Sequence, residues 1–92
     1  MDIHFYATLR DIVGQKTVDF TVPEGTSVRQ LVDVVVTRYP AMREQLLNEQ
    51  GELFPHVHVF VNGRDAPYLD RGMETPIAMS DTLDIFPAVA GG

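Results

Sequence analysis

Apolar and polar positions alternate from the first residues of the chain. Ile3, Phe5 and Ala7 interleave with His4, Tyr6 and Thr8, the period of a half-buried strand. Asp11-Ile12-Val13-Gly14-Gln15 breaks the pattern as a turn, and Val18, Phe20 and Val22 then interleave with Thr17, Asp19 and Thr21. The spacing predicts an N-terminal β-hairpin with a short loop, closed by Pro23-Glu24-Gly25. Val28, Leu31, Val32, Val35 and Tyr39 follow at helical spacing, which predicts an amphipathic helix with one buried stripe. Thr26 or Ser27 serves as its N-cap, and Pro40 ends it by disfavouring helical geometry in the residue before it. A further short helical turn is expected between Met42 and Leu47.

In His56-Val57-His58-Val59-Phe60-Val61 the valines point one way and His56, His58 and Phe60 the other. Asn62-Gly63 is a two-residue hairpin signal, because a type I′ turn needs positive φ at both central positions. A short strand is expected near Ala66 to Leu69, with Pro67 marking it as an edge. Gly72 to Met79 reads as a connector, with one helical turn over Thr75 to Ala78. Thr82 to Pro87 is the last strand, Leu83 and Ile85 inward, Asp84 and Phe86 outward. The fold class is α+β: one sheet with one main helix packed on one face, the economical two-layer solution. The expected core joins Leu31, Val32 and Val35 of the helix to Ile3, Phe5, Val18, Phe20, Val57, Val59, Val61, Leu83 and Ile85 of the sheet.

Composition narrows what such a domain does. Ninety-two residues make one small domain, read here as a body over 1–87 and a flexible tail over 88–92. A formal charge of −6 argues against nucleic acid, whose phosphates need clustered Lys and Arg, and equally against an anionic membrane. There is no cysteine, so disulfides, thiolate metal sites and cysteine nucleophiles are excluded. The first residues lack the basic and apolar regions of a signal peptide, and no apolar run reaches the roughly 18 residues of a membrane span. A cytoplasmic protein is expected. Lys16 is the single lysine, which disfavours chains built through internal lysines.

The ending Phe86-Pro87-Ala88-Val89-Ala90-Gly91-Gly92 is an extended apolar tail that narrows to bare backbone. Glycine lets another surface approach closely, so the last two residues leave an unhindered carboxylate on a mobile arm. A frayed terminus is the alternative. Strand parity also sends Tyr6, Phe60 and Phe86 to the face away from the helix, where aromatic side chains are favoured binding anchors. His56 and His58, two apart on one strand, have a spacing able to ligate a metal, with His4 as a possible third. No carboxylate converges on them, and a solvated or partner-facing surface is the preferred reading; no metal site is assigned. The acidic pairs Asp70 and Glu74, and Asp81 and Asp84, are read as solvated charge, because acid–base catalysis needs a water-excluded cleft. Arg10 and Arg64 are candidates for rim contacts around that aromatic face, with solvated surface charge the preferred reading.

The element order, with a final strand running into Gly-Gly, resembles the ubiquitin-like β-grasp. More specifically, Phe5-Tyr6-Ala7-Thr8-Leu9-Arg10-Asp11-Ile12-Val13-Gly14, Val61-Asn62-Gly63 and the segment from Ser80 to Gly92 resemble the opening, central turn and ending of MoaD/ThiS-family sulfur carriers. The resemblance spans essentially the whole chain. It implies that a ubiquitin-activating-type adenylyltransferase, using ATP, adenylates the carboxylate of Gly92. Sulfur from a donor then replaces AMP, giving a thiocarboxylate. Gly91 supplies clearance to thread the activating site. The chain itself is then a carrier and not an enzyme, with no bound cofactor and no family precedent for a metal.

In a β-grasp sheet the first, last and central strands are neighbours, which would gather Tyr6, Phe60 and Phe86 into one patch. The resemblance assigns partner binding to them and to Pro87, Val89 and Ala90. The opening is similar to the small subunit of molybdopterin synthase, whose acceptor is the large catalytic subunit. The ending and the long segment from Arg43 to Pro55 are similar to carriers of the CysO type, which feed cysteine synthesis. A carrier for tRNA thiolation, a protein modifier forming isopeptide bonds through Gly92, and a plain interaction module with a frayed tail are the competing classes.

Overall fold

The computed structural model describes residues 1–87. The proposed tail and the site assignments at Val89, Ala90, Gly91 and Gly92 lie outside the described residues. A five-stranded mixed sheet forms the body. Its strands are β1 (Asp2–Phe5), β2 (Thr17–Asp19), β3 (Val57–Val61), β4 (Arg64–Asp65) and β5 (Thr82–Pro87), in the spatial order β2-β1-β5-β3-β4. β1 and β5 pair in parallel, Ile3 opposite Leu83 and Phe5 opposite Ile85. β5 and β3 pair antiparallel, Val59 opposite Ile85 and Phe60 opposite Asp84. The last strand therefore lies in the middle of the sheet, flanked on both sides.

One face of this sheet is dry. Ile3, Phe5, Leu83 and Ile85 are fully buried, with Val57, Val59 and Val61 nearly so. Every residue of the expected core is buried. The covering helix is α2 (Val28–Arg38), which buries Val28, Leu31, Val32, Val35 and Val36. Ser27 caps it reciprocally: its Oγ accepts from the Gln30 amide at 3.1 Å while its own amide donates to Gln30 Oε1 at 3.0 Å. Two orphan donors of the first turn are satisfied together. Ser27→Ala is expected to cost about 1 kcal/mol, because the Gln30 amide loses its acceptor. A urea titration read by circular dichroism checks this, and an unchanged midpoint would contradict it.

Beyond α2 the chain makes the expected short helical turn, as a 3₁₀ turn at Pro40–Met42 and α3 (Arg43–Leu46). Met42 and Leu46 are fully buried there. At the hairpin between β3 and β4, Asn62 and Gly63 take φ of 51° and 84°, the two positive values a type I′ turn requires.

Three expectations are corrected. The connection between β1 and β2 is no short loop but a helix, α1 (Ala7–Val13). The alternation ends at Tyr6. Ala7 takes φ 54° and is exposed, turning the chain out of the strand. Leu9, Ile12 and Val13 then pack inward at helical spacing, Leu9 fully buried, and Gly14 at φ 86° closes the helix with its amide on the Arg10 carbonyl.

The strand expected at Ala66 to Leu69 lies earlier, at Arg64–Asp65. The two-residue turn brings Arg64 directly opposite Val61, and Ala66–Tyr68 is a 3₁₀ turn containing Pro67. Finally, Thr75 to Ala78 is not helical; the helical turn falls at Gly72–Glu74. Pro76 holds Thr75 extended. That stretch pairs instead with the entry to α2, the Val28 amide donating to the Thr75 carbonyl at 3.1 Å and the Ile77 amide to Thr26 at 2.9 Å.

Candidate partner-docking face

The outward face of the sheet carries the aromatic cluster. Tyr6 follows β1 in extended conformation, φ −126° and ψ 156°, as the N-cap of α1. It keeps the outward parity of His4 for one more residue before the chain turns. Phe60 lies on β3 and Phe86 on β5, and the pairing of those strands sets their rings 5.2 Å apart between centroids. Tyr6 meets Phe86 edge to face at 6.0 Å, a favoured aromatic arrangement. All three side chains are half-buried rather than fully exposed. Together with Asp84 and Pro87 they line an open concavity of about 430 Å³. Tyr6, Phe60, Phe86 and Pro87, separated by up to 81 positions in the sequence (87 − 6), are thus brought together.

Asp84 is the participant that sequence reasoning read only as solvated charge. It is half-buried, and Tyr6 Oη donates to its Oδ1 at 2.7 Å. That hydrogen bond, then burial and the carboxylate's charge, pushes the Tyr6 phenol above its usual range. The signal was present, since Asp84 and Phe86 share the outward parity of Tyr6 and Phe60. Lys16 was also missed as a member of this region: its Nζ stands 5.3 Å from the centre of the Tyr6 ring, within cation–π range.

The histidines do not converge. His58 lies beside Phe86 at 5.4 Å, its Nδ1 3.0 Å from Asp65 Oδ2. His56 precedes β3, is exposed and stacks on Phe54 at 5.3 Å. His4 contacts Thr17 Oγ1 at 2.7 Å, on a strand separated from β3 by β5. Among the described residues, no group of three or more His, Cys, Asp or Glu is placed to hold a metal. Arg10 and Arg64 are exposed. Of the other acidic residues singled out in the sequence, Asp70 is exposed, Glu74 pairs with Arg29, and Asp81 accepts from the Ala78 amide and from Asn62.

The face lies at the end of β5, where Pro87 leads directly into residues 88–92. The aromatic cluster thus ends beside Pro87, five positions before Gly92 in the sequence. The sequence model of the ThiS family matches residues 3–92. The chain belongs to the ThiS family. It is 37% identical to small archaeal modifier protein 3 of Haloferax volcanii over 92 residues, 100% of this chain and 98% of that one. It is 32% identical to the sulfur carrier protein CysO of Mycobacterium tuberculosis over 81 residues, 86% of this chain and 83% of the other.

The solved structure of small archaeal modifier protein 1 from Haloferax volcanii superposes with a TM-score of 0.87 at 30% identity, covering 100% of this chain and 98% of that chain. This ThiS-family protein therefore has the ubiquitin-like β-grasp, with the long α2 on one face of the sheet and the aromatic cluster on the other. No helix among its described residues is long and apolar enough to cross a membrane.

Proposed function

We propose that this ThiS-family protein is a ubiquitin-like sulfur carrier whose reactive group is the carboxylate of Gly92. A carboxylate is a poor electrophile until one oxygen becomes part of a good leaving group. Attack of the Gly92 carboxylate on the α-phosphorus of ATP, in the site of a ubiquitin-activating-type enzyme, releases pyrophosphate and leaves an acyl-adenylate. Sulfide from a donor then expels AMP and leaves the thiocarboxylate directly; where the donor is a persulfide, its terminal sulfur expels AMP and a thiol then breaks the S–S bond, releasing the thiocarboxylate and a disulfide. The observation that carries this reading is the gathering of Tyr6, Phe60 and Phe86 at the end of the strand that runs into Gly91-Gly92. The relationship to a named sulfur carrier supports it.

In this reading the chain supplies two things and catalyses nothing itself. Its sheet face holds the partner, and the tail reaches the partner's nucleotide. Pro87, at the edge of the concavity, sets where the tail begins. Val89 and Ala90 extend its apolar contact, and Gly91 gives the clearance. The same face then serves in turn for the activating enzyme and for the sulfur acceptor, so the two must compete for it.

Intact-mass measurement with a competent activating enzyme, ATP and a sulfur donor tests the proposal. The expected products carry first one adenylyl group, then sulfur in place of one oxygen, both mapped to Gly92. A chain that stays unmodified while a known carrier is modified in parallel would overturn it. The acceptor follows from the partner enzyme: the large subunit of molybdopterin synthase, a cysteine synthase, or an enzyme of tRNA thiolation. Recovery of partners with the thiocarboxylate form assigns it.

A second reading has its own support, because two relatives are named as modifiers. The Gly92 acyl-adenylate is equally open to a lysine amine, giving an isopeptide bond and AMP. Gly-Gly remnants on lysines of cellular proteins, lost when Gly91-Gly92 is deleted, would establish that use.

A further inference from the structure

We infer that the concavity between Tyr6, Phe60 and Phe86 receives the guanidinium of an arginine presented by the partner protein, with Asp84 as its counter-charge. The inference rests on the docking role proposed above and names the chemistry that the face selects. A purely apolar anchor site would have no reason to hold a carboxylate in its wall. Here Asp84 lines the concavity together with Tyr6, Phe60, Phe86 and Pro87. Tyr6 Oη occupies only Oδ1, at 2.7 Å. Among the described residues nothing donates to Oδ2. The Tyr6 bond holds the carboxylate in one orientation, so that the remaining oxygen is a fixed acceptor beside an aromatic wall.

The combination fits a guanidinium better than an ammonium. With Oδ1 engaged by Tyr6, Oδ2 is the less crowded acceptor for the cation, and the rings supply the rest of the attraction. Guanidinium is planar and weakly hydrated, and it stacks on aromatic faces. An ammonium would have to shed tightly held water against three rings. The rings of Phe60 and Phe86, 5.2 Å apart and inclined at 55°, line the same concavity as Asp84. Tyr6 already has a cation over its ring, Lys16 Nζ at 5.3 Å from the centroid. The net charge of −6 complements a basic partner surface and speeds its approach.

The test uses the whole protein, isotope-labelled, titrated by NMR with N-acetylarginine amide, N-acetyllysine amide and the neutral isostere N-acetylcitrulline amide. The arginine probe is expected to shift the amides of Phe60, Asp84 and Phe86 and to bind about tenfold more tightly than citrulline, as a charge-assisted hydrogen bond predicts. Lysine is expected to be weaker than arginine. Asp84→Asn retains an acceptor for Tyr6 and is expected to erase the preference while leaving the rest of the spectrum in place. Equal response to arginine and citrulline, a preference that survives Asp84→Asn, or lysine binding as tightly as arginine would each overturn the inference. None of these readings depends on Gly92 chemistry, so failure of the sulfur-carrier proposal would show separately, in the mass measurement.

Discussion

Phe86→Ala is expected to weaken docking on the activating enzyme by about 100-fold while leaving the fold intact. The size follows from position. Phe86 touches Tyr6, His58 and Phe60, with ring centroids at 6.0, 5.4 and 5.2 Å, so it is the ring that the others share. Central aromatic anchors cost about 2–4 kcal/mol when truncated, and each 1.4 kcal/mol is about tenfold in affinity. The fold is buffered because the two flanking positions differ in kind. Ile85 is fully buried and carries the core contact of β5, whereas Phe86 is half-buried on the other face. The loss should therefore appear as a raised KM for the carrier in adenylation with kcat little changed, the pattern of lost uniform binding. Calorimetric titration of the enzyme with the variant measures it directly. Affinity unchanged within a factor of about three would remove the aromatic face from the docking account.

The same strand shows why so much of this face was legible in sequence. Period-two patterning fixes which side a residue occupies as soon as one neighbour is known to be inward. Leu83 and Ile85 inward therefore placed Asp84 and Phe86 outward without any structure. The same parity placed Phe60 by Val59 and Val61, and Tyr6 by Phe5. Parity does not give lateral distance, however. That Tyr6 Oη reaches Asp84 depends on the parallel β1–β5 register, in which His4 lies opposite Asp84, and on the extended backbone at Tyr6. Neither is a local property of the sequence.

The stretch after Tyr6 was misread for a related reason. Ala7 and Leu9 continue the alternation by identity, and Ala7 carries a positive φ that few alanines adopt. Helical spacing of Leu9, Ile12 and Val13 with Gly14 as terminator was the competing signal. A seven-residue helix is too short for that signal to outweigh an apparent strand. The Pro67 and Pro76 segments failed differently. Pro67, expected to mark an edge strand, lies inside the 3₁₀ turn Ala66–Tyr68, and the helical turn expected across Pro76 falls before it, at Gly72–Glu74, because Thr75 to Ile77 pairs with the entry to α2.

Phe5→Ala probes whether the two faces of the sheet stand or fall together. Phe5 is fully buried. Its ring meets Phe20 and Tyr39 at 6.5 Å each, and its backbone lies opposite Ile85 in the central pair of strands. Truncation removes the largest fully buried side chain and opens a cavity between α2 and the sheet. Phe→Ala at such sites costs about 3–5 kcal/mol, a large part of the roughly 5–14 kcal/mol available to a chain of this size. The expected fall in Tm is about 15–30 °C, read by thermal denaturation at fixed protein concentration. A fall below about 5 °C would mean that the surrounding residues close over the space.

The control is Tyr6→Ala. Tyr6 is half-buried on the outward face and is not among the residues packed on the core, so its removal should leave Tm within a few degrees while the proposed docking weakens. Phe5 and Tyr6 are adjacent in the chain and opposite in the sheet. If stability tracks the first and partner affinity the second, the alternation that builds β1 has separated the fold's requirements from those of the proposed function, residue by residue.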